Sequence, residues 1–245
     1  MSVVRTIQRR LMGLAALALL QPALAAGPAL AAGPALAGEG VRLDDLGAVS
    51  VHAADLSAFP LWRDALAAFE SWLPEAMACL EARCGDLSLV ETVWLNHVRG
   101  LTLLPPDAQA RRVVGFLRDL LQEQPDPPAS SRSGPWPAMP DILAGSDRGG
   151  LALALARYYS LRAAGLDPKA LRLVMARDTL TLETTHVVLV ETAAHRIAMT
   201  RYGMEDLDRG GRLSFVPLYA VNHAGRWVYF PKPALADDPA SSGSD

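Results

Sequence analysis

Leu171-Arg172-Leu173-Val174-Met175-Ala176-Arg177 is the stretch at which this chain changes from a helical rhythm to a strand rhythm. Four more strand-like runs follow it: Thr185 to Thr192, His195 to Thr200, Leu213 to Ala220 and Arg226 to Phe230. Asn222-His223-Ala224-Gly225 has hairpin-turn chemistry between the last two. Upstream, from Leu61 to Gln124, the pattern is helical. Ser88 and Glu91 have the spacing of a capping box and open a helix that runs towards Arg99. Asp107, after Pro105-Pro106, reads as another cap, and Val113, Leu117, Leu120 and Leu121 fall on one face of the helix it starts. A further helix, Leu153 to Arg162, ends at Gly165. Helices followed by consecutive strands predict an α+β domain with an antiparallel sheet.

Between these two halves lies Pro125 to Pro140, whose prolines each fix a backbone angle and lack a donor, so it reads as a long loop. Trp136 within it is expected to anchor the loop on the core or to line a cleft. At the other end, Arg5, Arg9 and Arg10 precede the apolar stretch Leu11 to Leu20 and the small-residue site Ala23-Leu24-Ala25, the layout of an export signal. The repeated Ala-Ala-Gly-Pro-Ala-Leu duplicates that cleavage site, so the signal spans residues 1–25 with a cut as late as 37. An Ala/Gly/Pro-rich linker over 26–40, one domain over 41–233 and a tail over 234–245 with nothing to bury complete the expected organisation. Export predicts a periplasmic or secreted protein, and no later segment is apolar enough to span a bilayer.

The net charge is −3, and losing the three leader arginines takes the mature chain to about −6, which excludes nucleic acid as a partner class. The chain has 2 cysteines, Cys79 and Cys84. In an exported protein a close, even pair reads as a disulfide, and no second pair completes a zinc site around it.

The segments Leu171 to Thr179, His186-Val187-Val188-Leu189-Val190 and Pro217-Leu218-Tyr219-Ala220-Val221-Asn222, in this order after the helix at Ala154 to Arg162, resemble the bacterial transglutaminase-like cysteine peptidases of the periplasmic adhesin-releasing type. The resemblance implies a papain-related fold and a site built from a thiolate at a helix N-terminus, a histidine and an orienting aspartate. His186 matches the family histidine. The family nucleophile sits in Gly-Asp-Cys-Glu-Asp, and the ungapped register through Ser146-Asp147-Arg148-Gly149-Gly150-Leu151-Ala152 puts Gly150 there. The orienting acid falls on Thr200 within Met199-Thr200-Arg201.

Acidic residues that bind calcium beside the family cysteine are replaced here by Gly149, Leu151 and Ala152, so no cofactor is expected. Arg148 and Arg201 would turn a formerly acidic cleft neutral to basic. Thr185, next to His186, points to the opposite face of its strand and cannot replace the nucleophile. The resemblance thus implies a catalytically inactive homologue that binds a peptide or protein partner in the cell envelope. The alternative is an active peptidase or acyl transferase with a non-standard nucleophile.

Overall fold

The computed structural model describes residues 40–121, 134–145, 149–192, 195–210 and 212–232. The export signal, most of the linker, the tail, Arg148 and Ser146, and most of the proline-rich loop lie outside the described residues.

Among the described residues, five helices precede most of the sheet. Helix α1, Pro60–Ala82, begins with a proline whose missing N–H would have no helical partner there, and it buries Trp62, Leu66 and Phe69 at helical spacing. It ends at Arg83 in the left-handed region, φ 54°. Just beyond, Cys84 is joined to Cys79 in the expected disulfide, across a sequence separation of 5. Closing so short a loop removes little unfolded-state entropy. Replacing both cysteines with serine is therefore expected to lower unfolding stability by only about 2 kcal/mol, read as a urea-midpoint shift that a reductant reproduces in the natural protein.

Helix α2, Leu89–Leu101, starts with the capping box as predicted: Ser88 Oγ accepts from Glu91 N at 3.2 Å and Glu91 accepts from Ser88 N at 2.8 Å. Helix α3, Pro106–Leu120, is capped differently from expectation. Pro105 holds the cap position, and Asp107 sits inside the first turn, where it faces the helix dipole and pairs with Arg111. The short helix α4, Met139–Leu143, lies at the end of the segment read as loop. Pro140 is tolerated because it occupies the first turn.

Helix α5, Gly150–Ala163, is buried along its whole length from Leu151 to Leu161, so it has no solvent stripe and serves as the central helix. Gly165, with φ +91°, turns the chain out of it.

The sheet has eight strands in the order β1-β2-β8-β7-β3-β4-β5-β6, antiparallel throughout. They are β1 Gly40–Asp45, β2 Ala48–Ala53, β3 Leu171–Asp178, β4 Thr184–Glu191, β5 Arg196–Thr200, β6 Gly203–Asp206, β7 Phe215–Val221 and β8 Arg226–Phe230. Five match the predicted runs within two residues at either end. The hairpin β1–β2 and the short β6 were not predicted. The turn between β7 and β8 works as expected, with Asn222 Oδ1 accepting from the N–H groups of Ala224 and Gly225. A Cβ on Gly225 would stand 2.4 Å from His52 and 2.7 Å from the Ala53 carbonyl, so β2 can approach only because this residue is glycine.

One ion pair defines the curvature. Arg172 on β3 and Asp45 on β1 are four strand steps apart, about 19 Å in a flat sheet. Yet Arg172 Nη1 lies 2.7 Å from Asp45 Oδ2. The sheet therefore curls, and its inner wall is filled by a second apolar cluster that includes Val174, Ala176, Leu189, Ala198, Phe215 and Tyr229. Its outer wall carries Leu171, Leu173, Met175, Val188, Val190 and Met199, and these share one core with the helices.

Candidate functional site

The chain leaves α5 at Gly165, passes through the short 3-10 turn Pro168–Ala170 and enters β3, and α5 packs on both β3 and β4. His186, near the start of β4, sits opposite Met175 in the β3–β4 register and on the outer, helix-packed wall with Val188. It is 8% exposed.

Among the described residues the mouth of α5 itself carries no reacting group. Gly149 is the extended N-cap residue, φ −71° and ψ 172°, with no side-chain cap, and α5 has no acidic residue in its first turn. Both cysteines belong to the α1 disulfide, so the chain offers no free thiol. The hydroxyls of Tyr158, Tyr159 and Ser160 lie more than two turns along α5 from its mouth. Burial pushes the phenols of Tyr158 and Tyr159 up, which keeps them protonated. Ser160 accepts from Trp94 Nε1 at 2.9 Å and donates to the Ala156 carbonyl at 2.7 Å. Thr185 pairs with Ala176, whose side chain fills the inner wall, so it faces away from His186 as strand alternation requires.

Thr200 departs from the expected placement. Met199 pairs with Val188 and lies on the outer wall, whereas Thr200 follows Ala198 to the inner wall. Its hydroxyl accepts from Tyr202 N at 3.2 Å and closes the turn to β6. The β5 residues on the face of His186 are Ile197 and, nearer to it, Met199. Neither side chain can hold the negative charge that would orient an imidazolium, and β5 from Arg196 to Thr200 contains no carboxylate.

Arg157 fastens this end, donating from Nη1 to the Thr200 carbonyl at 3.0 Å. Arg201 lies over the Tyr202 ring at 5.9 Å and faces solvent. Trp136 packs edge-on against Trp62 at 6.1 Å, which is the loop-anchoring arrangement. Two residues that the sequence did not single out complete the outer wall at the level of His186. They are Met175 and, beside it on β7, Tyr219, whose ring lies 5.4 Å from Phe59. A β-bulge between Met175 and Ala176 sets that register, and no pattern in the sequence announces it.

The donor set does not fit calcium. Gly149, Leu151 and Ala152 offer no side-chain oxygen, and a hard cation needs several. Among the described residues one metal-capable cluster exists, Cys79, Cys84 and Asp86, and its sulfurs are bonded to one another. A cavity of about 390 Å³ opens at the far end of β5, lined by Asp107, Arg111, His195 and Asp206 among others. Its arginines are already paired, Arg111 with Asp107 and Arg209 with Asp206.

No protein-family model and no curated protein matches the sequence. Solved structures do. Calcium-bound LapG of Legionella pneumophila superimposes with a TM-score of 0.53 at 18% identity, over 64% of this chain and 87% of that one. The EGTA-treated form of the same protein gives 0.52 at 16% identity, over 64% and 84%. The fold is transglutaminase-like. Helices leading into an antiparallel sheet are thus both expected and found, while identities this low speak for the fold alone.

No helix among the described residues is long and apolar enough to cross a membrane.

Proposed function

We propose that this chain is an exported transglutaminase-like peptidase homologue that has lost catalysis and acts in the periplasm by binding a peptide or a partner protein. The observation that carries the reading is the helix mouth. Gly150 opens the buried helix α5, which packs on the strand that carries His186, and both sulfurs of the chain are tied up in the Cys79–Cys84 disulfide. A cysteine peptidase needs thiolate, imidazole and orienting acid as one unit, and the imidazole is the member that remains. The assignments of Gly150 as the vacated nucleophile position and Met199 or Thr200 as the vacated acid position belong to this proposal. So do the cleft-lining roles of Trp136, Arg148 and Arg201.

The test is to rebuild the site. Gly150→Cys combined with Met199→Asp is expected to gain a thiol that alkylates faster at neutral pH than ordinary cysteine, because the helix dipole and His186 lower its pKa. Gly150→Cys with Thr200→Asp should not gain it, since that carboxylate would enter the inner wall. Iodoacetamide rates across pH read the difference. Equal, ordinary rates in both double variants would refute the assigned register.

A further inference from the structure

The end of α1 brings two sulfurs and a carboxylate together, and the backbone does so without help from the sulfur bond. Arg83, in the left-handed region, donates its N–H to the Leu80 carbonyl, and Cys84 N donates to the Cys79 carbonyl at 3.1 Å. These two bonds make a Schellman cap, in which the residues joined by the longer bond frequently make a side-chain contact as well. Here those two residues are the cysteines. Neither belongs to the apolar clusters that hold the domain together. Opening the bond therefore removes no core contact, and the cap keeps the sulfurs side by side.

The third group is Asp86. Gly85, at φ +84°, reverses the chain beyond Cys84, and the Asp86 N–H reaches back to Cys84 Sγ at 3.4 Å. The two sulfurs and an Asp86 carboxylate oxygen all lie within 4.8 Å of one another, with Cys84 and Asp86 exposed and Cys79 half-buried. Tetrahedral zinc holds thiolate sulfur at about 2.3 Å and carboxylate oxygen at about 2.0–2.2 Å, which sets its ligand atoms about 3.4–3.8 Å apart. Small side-chain movements cover the difference. Two thiolates select a borderline-soft ion over calcium or magnesium, and the carboxylate favours zinc over Cu(I).

We propose that this cap is a redox-gated zinc site, in which Cys79, Cys84 and Asp86 bind Zn²⁺ once a dithiol has reduced the sulfur bond. One thiolate of the dithiol attacks Cys79 Sγ, the S–S bond breaks, and its electron pair leaves on Cys84 Sγ, which the Asp86 N–H stabilises. The second thiolate attacks the mixed disulfide and frees Cys79. The reductant ends as a disulfide, and its two protons pass to the cysteines. Zinc then displaces those protons, and water fills the fourth position. The reverse exchange with a disulfide restores the bond and expels the ion. The site shares no residue with the mouth of α5, so it holds whether or not the chain binds a peptide.

The mature protein, oxidised or reduced with a phosphine and then freed of it without air, is titrated with Zn²⁺ against a chromophoric chelator. The reduced protein is expected to take one zinc ion and release about two protons, and the oxidised protein to bind about a hundredfold more weakly or not at all. Asp86→Asn should weaken zinc about tenfold, and Cys84→Ser about a hundredfold or more, with the thermal midpoints of the two reduced, zinc-free variants unchanged from that of the reduced parent. The reduced chain unfolded in urea should bind about tenfold more weakly than the folded one, because the cap is gone.

Equal zinc binding in the two oxidation states, or no uptake by the reduced protein, overturns the proposal. So does an affinity unchanged by Asp86→Asn, which would leave a bare dithiol, or equal affinities of the folded and unfolded reduced chains, which would make the cap irrelevant. Unfolding on reduction alone overturns it too, since the cap would then depend on the bond.

Discussion

Replacing Asp45 with alanine is expected to cost about 3–5 kcal/mol of unfolding free energy, because it leaves Arg172 buried without its bidentate partner. Arg172 is 1% exposed, and its two terminal nitrogens reach Asp45 at 2.7 and 3.1 Å. The remaining partners are Glu191 at 2.6 Å and the Tyr229 hydroxyl at 2.7 Å. Since this pair draws β1 over to β3, the loss should appear first in the β1–β2 hairpin, as faster amide exchange there than in β3 and β4.

The same pair sets an acid dependence. Burial pushes the Asp45 carboxyl up, but the Arg172 hydrogen bond, the Arg172 charge and the Ser50 hydroxyl outweigh it and hold the carboxyl below its ordinary value. A group depressed in the folded state stabilises above its unfolded pKa, near 3.9, and loses that contribution as pH falls through the folded value. Urea midpoints should therefore fall more steeply on the acid side in the natural protein than in Asp45→Ala. Parallel pH profiles would show that the pair contributes nothing to folding.

Trp62→Ala is expected to be as damaging, about 3–5 kcal/mol, through a different cause. Trp62 is fully buried, meets Tyr158 edge-on at 5.0 Å and supports Trp136 from below. Its Nε1 also donates to the Asn222 carbonyl at 3.0 Å, tying α1 to the β7–β8 turn. Trp62→Phe keeps much of the packing and removes the donor, so it should cost less, about 1–3 kcal/mol for an unsatisfied buried carbonyl. Chemical denaturation of the two variants separates the terms. Equal losses would mean that the hydrogen bond, not the ring, holds the helices to the sheet.

Much of the helical layer was legible because its signals are local. Ser88 and Glu91 announce a helix start by themselves, and Gly165 announces a stop. The strands from β3 to β5 and the β7–β8 hairpin were legible for a similar reason, each being an apolar run bounded by turn residues. The β1–β2 hairpin was not. Its six-residue strands follow directly on an Ala/Gly/Pro-rich stretch, and what stabilises them is Arg172, 127 positions away in sequence.

The histidine and the vacated helix start could be read from motif order. The face of Thr200 could not, because one residue of register decides it and that register is fixed by the pairing of Val188 with Met199. Nor could the sequence show that Val41, Val51 and Val228, which belong to separate strands, become neighbours in one row when the strands pair.

The central claim is that the transglutaminase-like scaffold here binds and does not react. The most direct measurement is turnover of a fluorogenic peptide panel by the purified mature protein, alongside His186→Ala and the Cys79→Ser, Cys84→Ser double variant. The account predicts that all three release no fluorophore above the buffer rate. Turnover by the natural protein that disappears in His186→Ala would contradict it, and would require a nucleophile other than a cysteine at the mouth of α5.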